Sequence, residues 1–212
     1  MKKILKISVF TAVVICLSAF LLMGCQSNKN VVATVNGNDI TEEQLQEQLK
    51  TNAVFKEVIS SHIDDIATPD YKEITLKRLD EQCPSDRDKA IKKLVETAYF
   101  LSMDNSISKE EAEKQLKQQL DDLDTYSQYD NVKVNREIMD ECFKKLSITE
   151  EQYIKDSADS YIAMVNRQRM YNKFIEDENL AVDENNSDEV GNKFKQYLDE
   201  QLKKADVVYY NQ

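Results

Sequence analysis

The sequence predicts a mainly α protein, a multi-helix bundle with a small β element that pairs an N-terminal with a C-terminal strand. Three observations carry this expectation. Three glycines and two prolines in 212 residues are too few for a turn-rich fold. Apolar residues recur at helical spacing along most of the chain. Two short β-like runs, Val31 to Val35 and Val207-Val208-Tyr209-Tyr210, lie at opposite ends. A lone two-stranded element is marginal in water, so the simplest solution pairs the two runs and packs helices over them.

Each element follows from local chemistry. After Val31 to Val35, Asn36-Gly37 is a strong hairpin turn, and Asp39-Ile40 returns as a second short strand. Thr41 and Gln44 form a capping box, opening a helix expected to reach about Ala67 through Leu45, Leu49, Phe55, Val58 and Ile59. Thr68-Pro69-Asp70 breaks it. A second helix is expected over Tyr71 to Glu81 and ends at Cys83-Pro84, because a residue before proline avoids helical angles. A third covers Asp86 to Met103. Ser108 with Glu111 caps a polar helix carrying Ala112, Leu116, Leu120 and Leu123, a narrow stripe suited to one-sided packing.

Tyr126 to Val134 reads as a loop or frayed end, followed by a short helix over Asn135 to Leu146. Thr149 and Gln152 cap the next helix, expected to run to Glu178. Apolar groups cover more than one of its stripes, which marks it as the central helix. An extended stretch over Leu180 to Val182 and a polar loop from Asp183 lead to a last helix, ending near Ala205.

The net charge is −11. The first 24 residues hold Lys2, Lys3 and Lys6 and no acid, so the remainder sets 25 basic residues against 39 acidic ones, or −14. That field disfavours nucleic acid, repels anionic lipid headgroups and favours basic partners, although plain solubility is the simpler account.

The N-terminus has the layout of a secretory signal: basic residues, then a mostly apolar run from Ile7 to Met23. At about 1.5 Å per residue the run spans roughly 25 Å, marginal for a permanent membrane span. Leu22-Met23-Gly24-Cys25 resembles the lipobox of bacterial lipoproteins. The resemblance implies cleavage before Cys25 and a diacylglycerol thioether on it, with residues 1–24 removed and 25–30 left as a polar tether. An ordinary signal peptide with a chance cysteine is the competing reading. Two acyl chains would hold the body, residues 31–212, on the extracytoplasmic face of a cell membrane.

Val32-Ala33-Thr34-Val35-Asn36-Gly37, followed by Ile40-Thr41 and a Glu-rich helix through Leu45, resembles the start of the SurA N-terminal-domain family, which includes the chaperone parts of SurA and of the PrsA foldase lipoproteins. Ile148 to Ile154 resembles the lead into that family's long helix, and Phe194 to Tyr210 its C-terminal helix and strand. One departure matters. The family's parvulin prolyl-isomerase domain would sit between these two helices, where this chain has only the short linker Asn179 to Ser187. The resemblance therefore implies a chaperone-like module without its isomerase.

Other chemistry is weakly encoded. His62 is the single histidine, which argues against a Ser-His-Asp site or a His-rich metal site. It reads as a surface or half-buried helical residue. Asp64-Asp65 and Asp121-Asp122 read as solvated helix faces. Asp183 to Asp188 lacks the glycine and terminal glutamate of an EF-hand loop. No cofactor, metal or catalytic residue is expected. Cys83 and Cys142 are a candidate disulfide pair if the domain is exported, but spacing does not show whether they are close enough.

Tyr153, Tyr161, Met164, Met170, Tyr171 and Phe174 recur along the long helix. They read either as core or as the lining of a cleft that holds unfolded chain, since Met and Tyr suit promiscuous apolar binding. The expectation is a membrane-anchored, extracytoplasmic chaperone-like lipoprotein that holds unfolded exported polypeptides. The alternative is a cell-surface lipoprotein that binds one specific folded partner.

Overall fold

A computed structural model describes residues 30–104, 107–183 and 186–210. The signal segment, Cys16, Cys25 and the tether up to Lys29 lie outside the described residues, as does part of the polar loop after Asp183. Among the described residues the order is β1 (Val31–Val35), β2 (Asn38–Thr41), α1 (Glu42–Ser61), α2 (Ile63–Ile66), α3 (Pro69–Gln82), α4 (Arg87–Leu101), α5 (Lys109–Thr125), α6 (Asp130–Leu146), α7 (Glu150–Asp177), α8 (Ser187–Lys204) and β3 (Val207–Tyr209). The protein is mainly helical, with one small antiparallel sheet that joins the two ends.

The sheet order is β2-β1-β3. Asn36 and Gly37 both take positive φ, 49° and 80°, which matches the turn twist to the strand twist. Val35 then faces Asn38 and Ala33 faces Ile40, with a bulge between Val31 and Ala33. On the other side Val35 pairs with Val207 and Ala33 with Tyr209. Asn36 is more than a turn residue. Its N–H donates to the Asp206 carbonyl (2.8 Å), its Oδ1 accepts from the Asp206 N–H (3.2 Å), and its Nδ2 donates to Ser102 Oγ (2.8 Å). One side chain thus locks the hairpin to the last strand and to the end of α4.

The capping box at Thr41 is complete. Thr41 Oγ1 accepts from the Gln44 N–H, and Gln44 Oε1 accepts from the Thr41 N–H at 2.7 Å. Ser108 and Thr149 also accept from the N–H three residues on. Three expectations about boundaries are corrected. The first helix stops at Ser61, not near Ala67, and the chain redirects at His62, whose ring reaches Glu141 of α6 at 3.3 Å and Asp65 at 3.5 Å. Pro69 is the first residue of α3 and not part of a break, because proline's missing N–H costs nothing at that position. The stretch from Asp130 to Val134 is helical, since burial of Val132 and half-burial of Val134 reward an extra turn with no side-chain cap.

The core lies in linked clusters. The largest joins Phe55, Val58 and Ile59 of α1 to Leu79, Cys83, Leu120, Ile138, Cys142, Phe143 and Tyr153. A second packs β1, Ile40 and Leu45 against Ala90, Leu94, Val95 and Ala98 of α4. Buried polar groups are spent on helix ends. Asn52 Nδ2 donates to the Pro84 carbonyl (2.8 Å) while its Oδ1 accepts from Gln48, and Asn166 Nδ2 donates to the Phe100 carbonyl (2.9 Å). Arg136 ties three helices together through Asp124 (3.0 Å), Asp140 and Glu150 (3.2 Å). α7 runs through most of this, packing on both α4 and α5, as a central helix should.

Candidate interaction surface

The six long-helix residues separate into two groups. Tyr153 is 1% exposed and stacks obliquely on Phe143, with ring centroids 5.1 Å apart. Phe174 is 7% exposed and sits among Phe194 and Tyr197 of α8. These two offer nothing to a partner. They are core, and the reading of them as a client-binding lining is set aside. Tyr161, Met164, Met170 and Tyr171 are half-buried. Met170 and Tyr171 pack around the aromatic cluster that holds α8 to α7, with Tyr171 edge-on to Phe194 at 5.0 Å. Periodicity marks the apolar stripes of a helix but not which stripe a neighbour will cover.

Open apolar surface lies elsewhere. In α3 only Leu79 is buried. Tyr71 is 52%, Ile74 46% and Leu76 39% exposed. Tyr71 and Ile74, three apart, stand side by side on the helix. With Leu76 and Leu79 they put apolar groups around about half of its circumference, and only the Leu79 sector is covered. The helix is otherwise held by ion pairs, Lys56 with Asp80 and Lys72 with Asp64, whose carboxylates are largely solvated. Such pairs contribute little to stability. The sequence pattern predicts a helix over Tyr71 to Glu81 and points to no role for it. The available signal was its flanks: an uncapped start at Thr68-Pro69 and an end at Cys83-Pro84 delimit a short segment with few apolar positions for two-sided packing. Tyr126 and Tyr129, between α5 and α6, and Val208, Tyr209 and Tyr210 at the sheet edge are also exposed.

Among the described residues no group of three or more His, Cys, Asp or Glu side chains could hold a metal ion, and no helix is long and apolar enough to cross a membrane. Cys83 and Cys142 are free thiols buried in the same core. Burial pushes the Cys83 thiol up to about 11. It also pushes Cys142 up, with Glu141 and Cys83 adding to the effect. Since the thiolate is the reactive form, neither is primed for chemistry in the folded state. Lys93, half-buried on α4, is held below the ordinary lysine range by desolvation first and by the nearby Arg167 second. Glu42 is held below the usual carboxylate range, chiefly by its hydrogen bond from Arg87 at 2.8 Å.

No family model, no curated protein and no solved structure matches this chain.

Proposed function

We propose that the protein is a membrane-anchored, extracytoplasmic chaperone-like lipoprotein that holds unfolded exported polypeptides without prolyl-isomerase or other enzymatic activity. The observation that carries this reading is α3, a helix with one buried anchor, Leu79, that leaves Tyr71 and Ile74 exposed on one side of that anchor and Leu76 on the other. Exposed apolar side chains grouped on one short helix suit contact with other chains. The lipobox at Leu22 to Cys25, the resemblance to SurA N-terminal domains and the missing parvulin segment support the same reading. The mechanism is physical. A loosely held helix covers an apolar stretch of client, and the acidic body keeps the pair in solution. Lipid on Cys25 would concentrate this surface where exported chains emerge.

The test uses the chain from residue 26 onward and a chemically denatured client diluted into buffer. Aggregation, followed by light scattering, slows at near-stoichiometric ratio, and the double substitution Tyr71→Ser, Ile74→Ser removes the protection. Unchanged aggregation at large excess of the unsubstituted protein sinks the proposal. Recovery of one stoichiometric folded partner on α3, with no effect on denatured clients, would favour the single-partner lipoprotein instead.

A further inference from the structure

The strip Val208, Tyr209 and Tyr210 is exposed although β1, the strand it pairs with, is buried at Val32, Ala33 and Val35. We propose that this edge of the sheet is a lipid-headgroup contact that seats the folded body against the membrane. The inference rests on the reading of Cys25 as a lipid anchor.

Position is the first argument. The described chain begins at Asn30, whose carbonyl accepts from the Glu42 N–H at 2.8 Å, and Tyr210 N–H donates to the Val32 carbonyl at 2.9 Å. Tyr210 therefore lies two residues along β1 from the point where the chain leaves for its anchor. Cys25 is five residues upstream of Asn30, and five residues reach at most about 17 Å. With so short a tether the surface beside Asn30 cannot stay far from the bilayer.

Chemistry is the second. Tyrosine has an apolar ring and a polar hydroxyl and concentrates at the headgroup level of membranes. Depth is limited by the backbone. Asn36 N–H bonds Asp206 and Tyr210 N–H bonds Val32, and the register of β3 on β1 is regular. By antiparallel alternation Val208 then bonds β1, while the N–H and carbonyl of Tyr209 point to the open edge. Such groups tolerate the wet headgroup layer but not hydrocarbon. Charge is the third. The chain is strongly acidic, yet Lys92 stands beside Tyr209 together with the acids Asp199 and Glu96, and it pairs with Asp199 at 3.1 Å.

The chain contains no tryptophan, so a single substitution provides a silent-background probe. The lipidated full-length product is reconstituted into phosphatidylcholine vesicles with or without brominated acyl chains, carrying Tyr210→Trp, Tyr209→Trp or, as a distant control, Tyr129→Trp. The expected result is blue-shifted emission and loss of intensity in brominated vesicles for position 210 or 209, with position 129 unchanged. Equal quenching at all three positions, or none at 209 and 210, overturns the contact. A blue shift that rises with protein concentration and ignores bromine means a second copy covers the strip, and also overturns it. Mass spectrometry of the same sample reads the anchor separately. Lipid on Cys25 with no quenching removes only the contact, whereas an unmodified Cys25 removes the anchor and the contact together.

Discussion

α7 and α3 are built from similar residues and treated in opposite ways by the fold. Both carry tyrosine and aliphatic side chains at helical spacing. In α7 Tyr153, Ile162 and Phe174 are sealed by neighbours, whereas in α3 only Leu79 is. The difference is one of neighbours and not of composition. α7 packs against α4, α5 and the aromatic face of α8, while α3 leans mainly on α1 and α2. A helix with partners on several sides turns its aromatics into stability, and one with a single anchor leaves them exposed.

The sharpest way to break this comparison is Tyr153→Ala. Removing a fully buried aromatic should cost about 3 kcal/mol or more, read as a lower urea midpoint with unchanged slope. A loss within a few tenths of a kcal/mol would mean that α7 is not the structural half of the pair. Leu79→Ala comes next, with an expected cost of about 2–3 kcal/mol. Its signature should be local, namely amide exchange in α3 rising towards that of an unprotected helix while α5 and α7 keep their protection.

Lys93→Met is expected to stabilise. A lysine whose folded pKa is depressed is penalised at neutral pH, where the unfolded chain holds the proton more tightly, and the penalty fades as pH rises through the ordinary lysine range. The variant should therefore gain most near pH 7 and lose its advantage at strongly alkaline pH, as followed by thermal unfolding at several pH values. The smallest expected effect is that of Tyr71→Ser with Ile74→Ser, within about 0.5 kcal/mol per site, as for exposed positions elsewhere. Coupled with lost client protection, that near-neutrality would separate binding from folding. A large destabilisation would show instead that the α3 face is covered.

Capping boxes and turn chemistry made much of the architecture legible in advance. Thr41, Ser108 and Thr149 each open a helix where their side-chain oxygens meet an otherwise free N–H, and these are local signals. The pairing of β1 with β3 was also legible, because two orphan strands in a helical chain have few other options. What escaped was set by distance in sequence. The turn at His62 goes with contacts to Glu141, 79 residues away. The helix at Asp130 goes with packing around Val132 and Val134. The division of tyrosines between core and surface depends on which helix lies alongside, and a one-dimensional pattern does not carry that information.

The contact between Asn36 and Asp206 spans 170 residues, and it has a bearing on the order of assembly. A ribosome releases β1 well before β3, so the central strand of the sheet lacks its second neighbour until β3 has emerged. Contacts of such high order form late. The fold thus carries a built-in delay: the sheet cannot close until its last strand joins its first, 170 residues earlier.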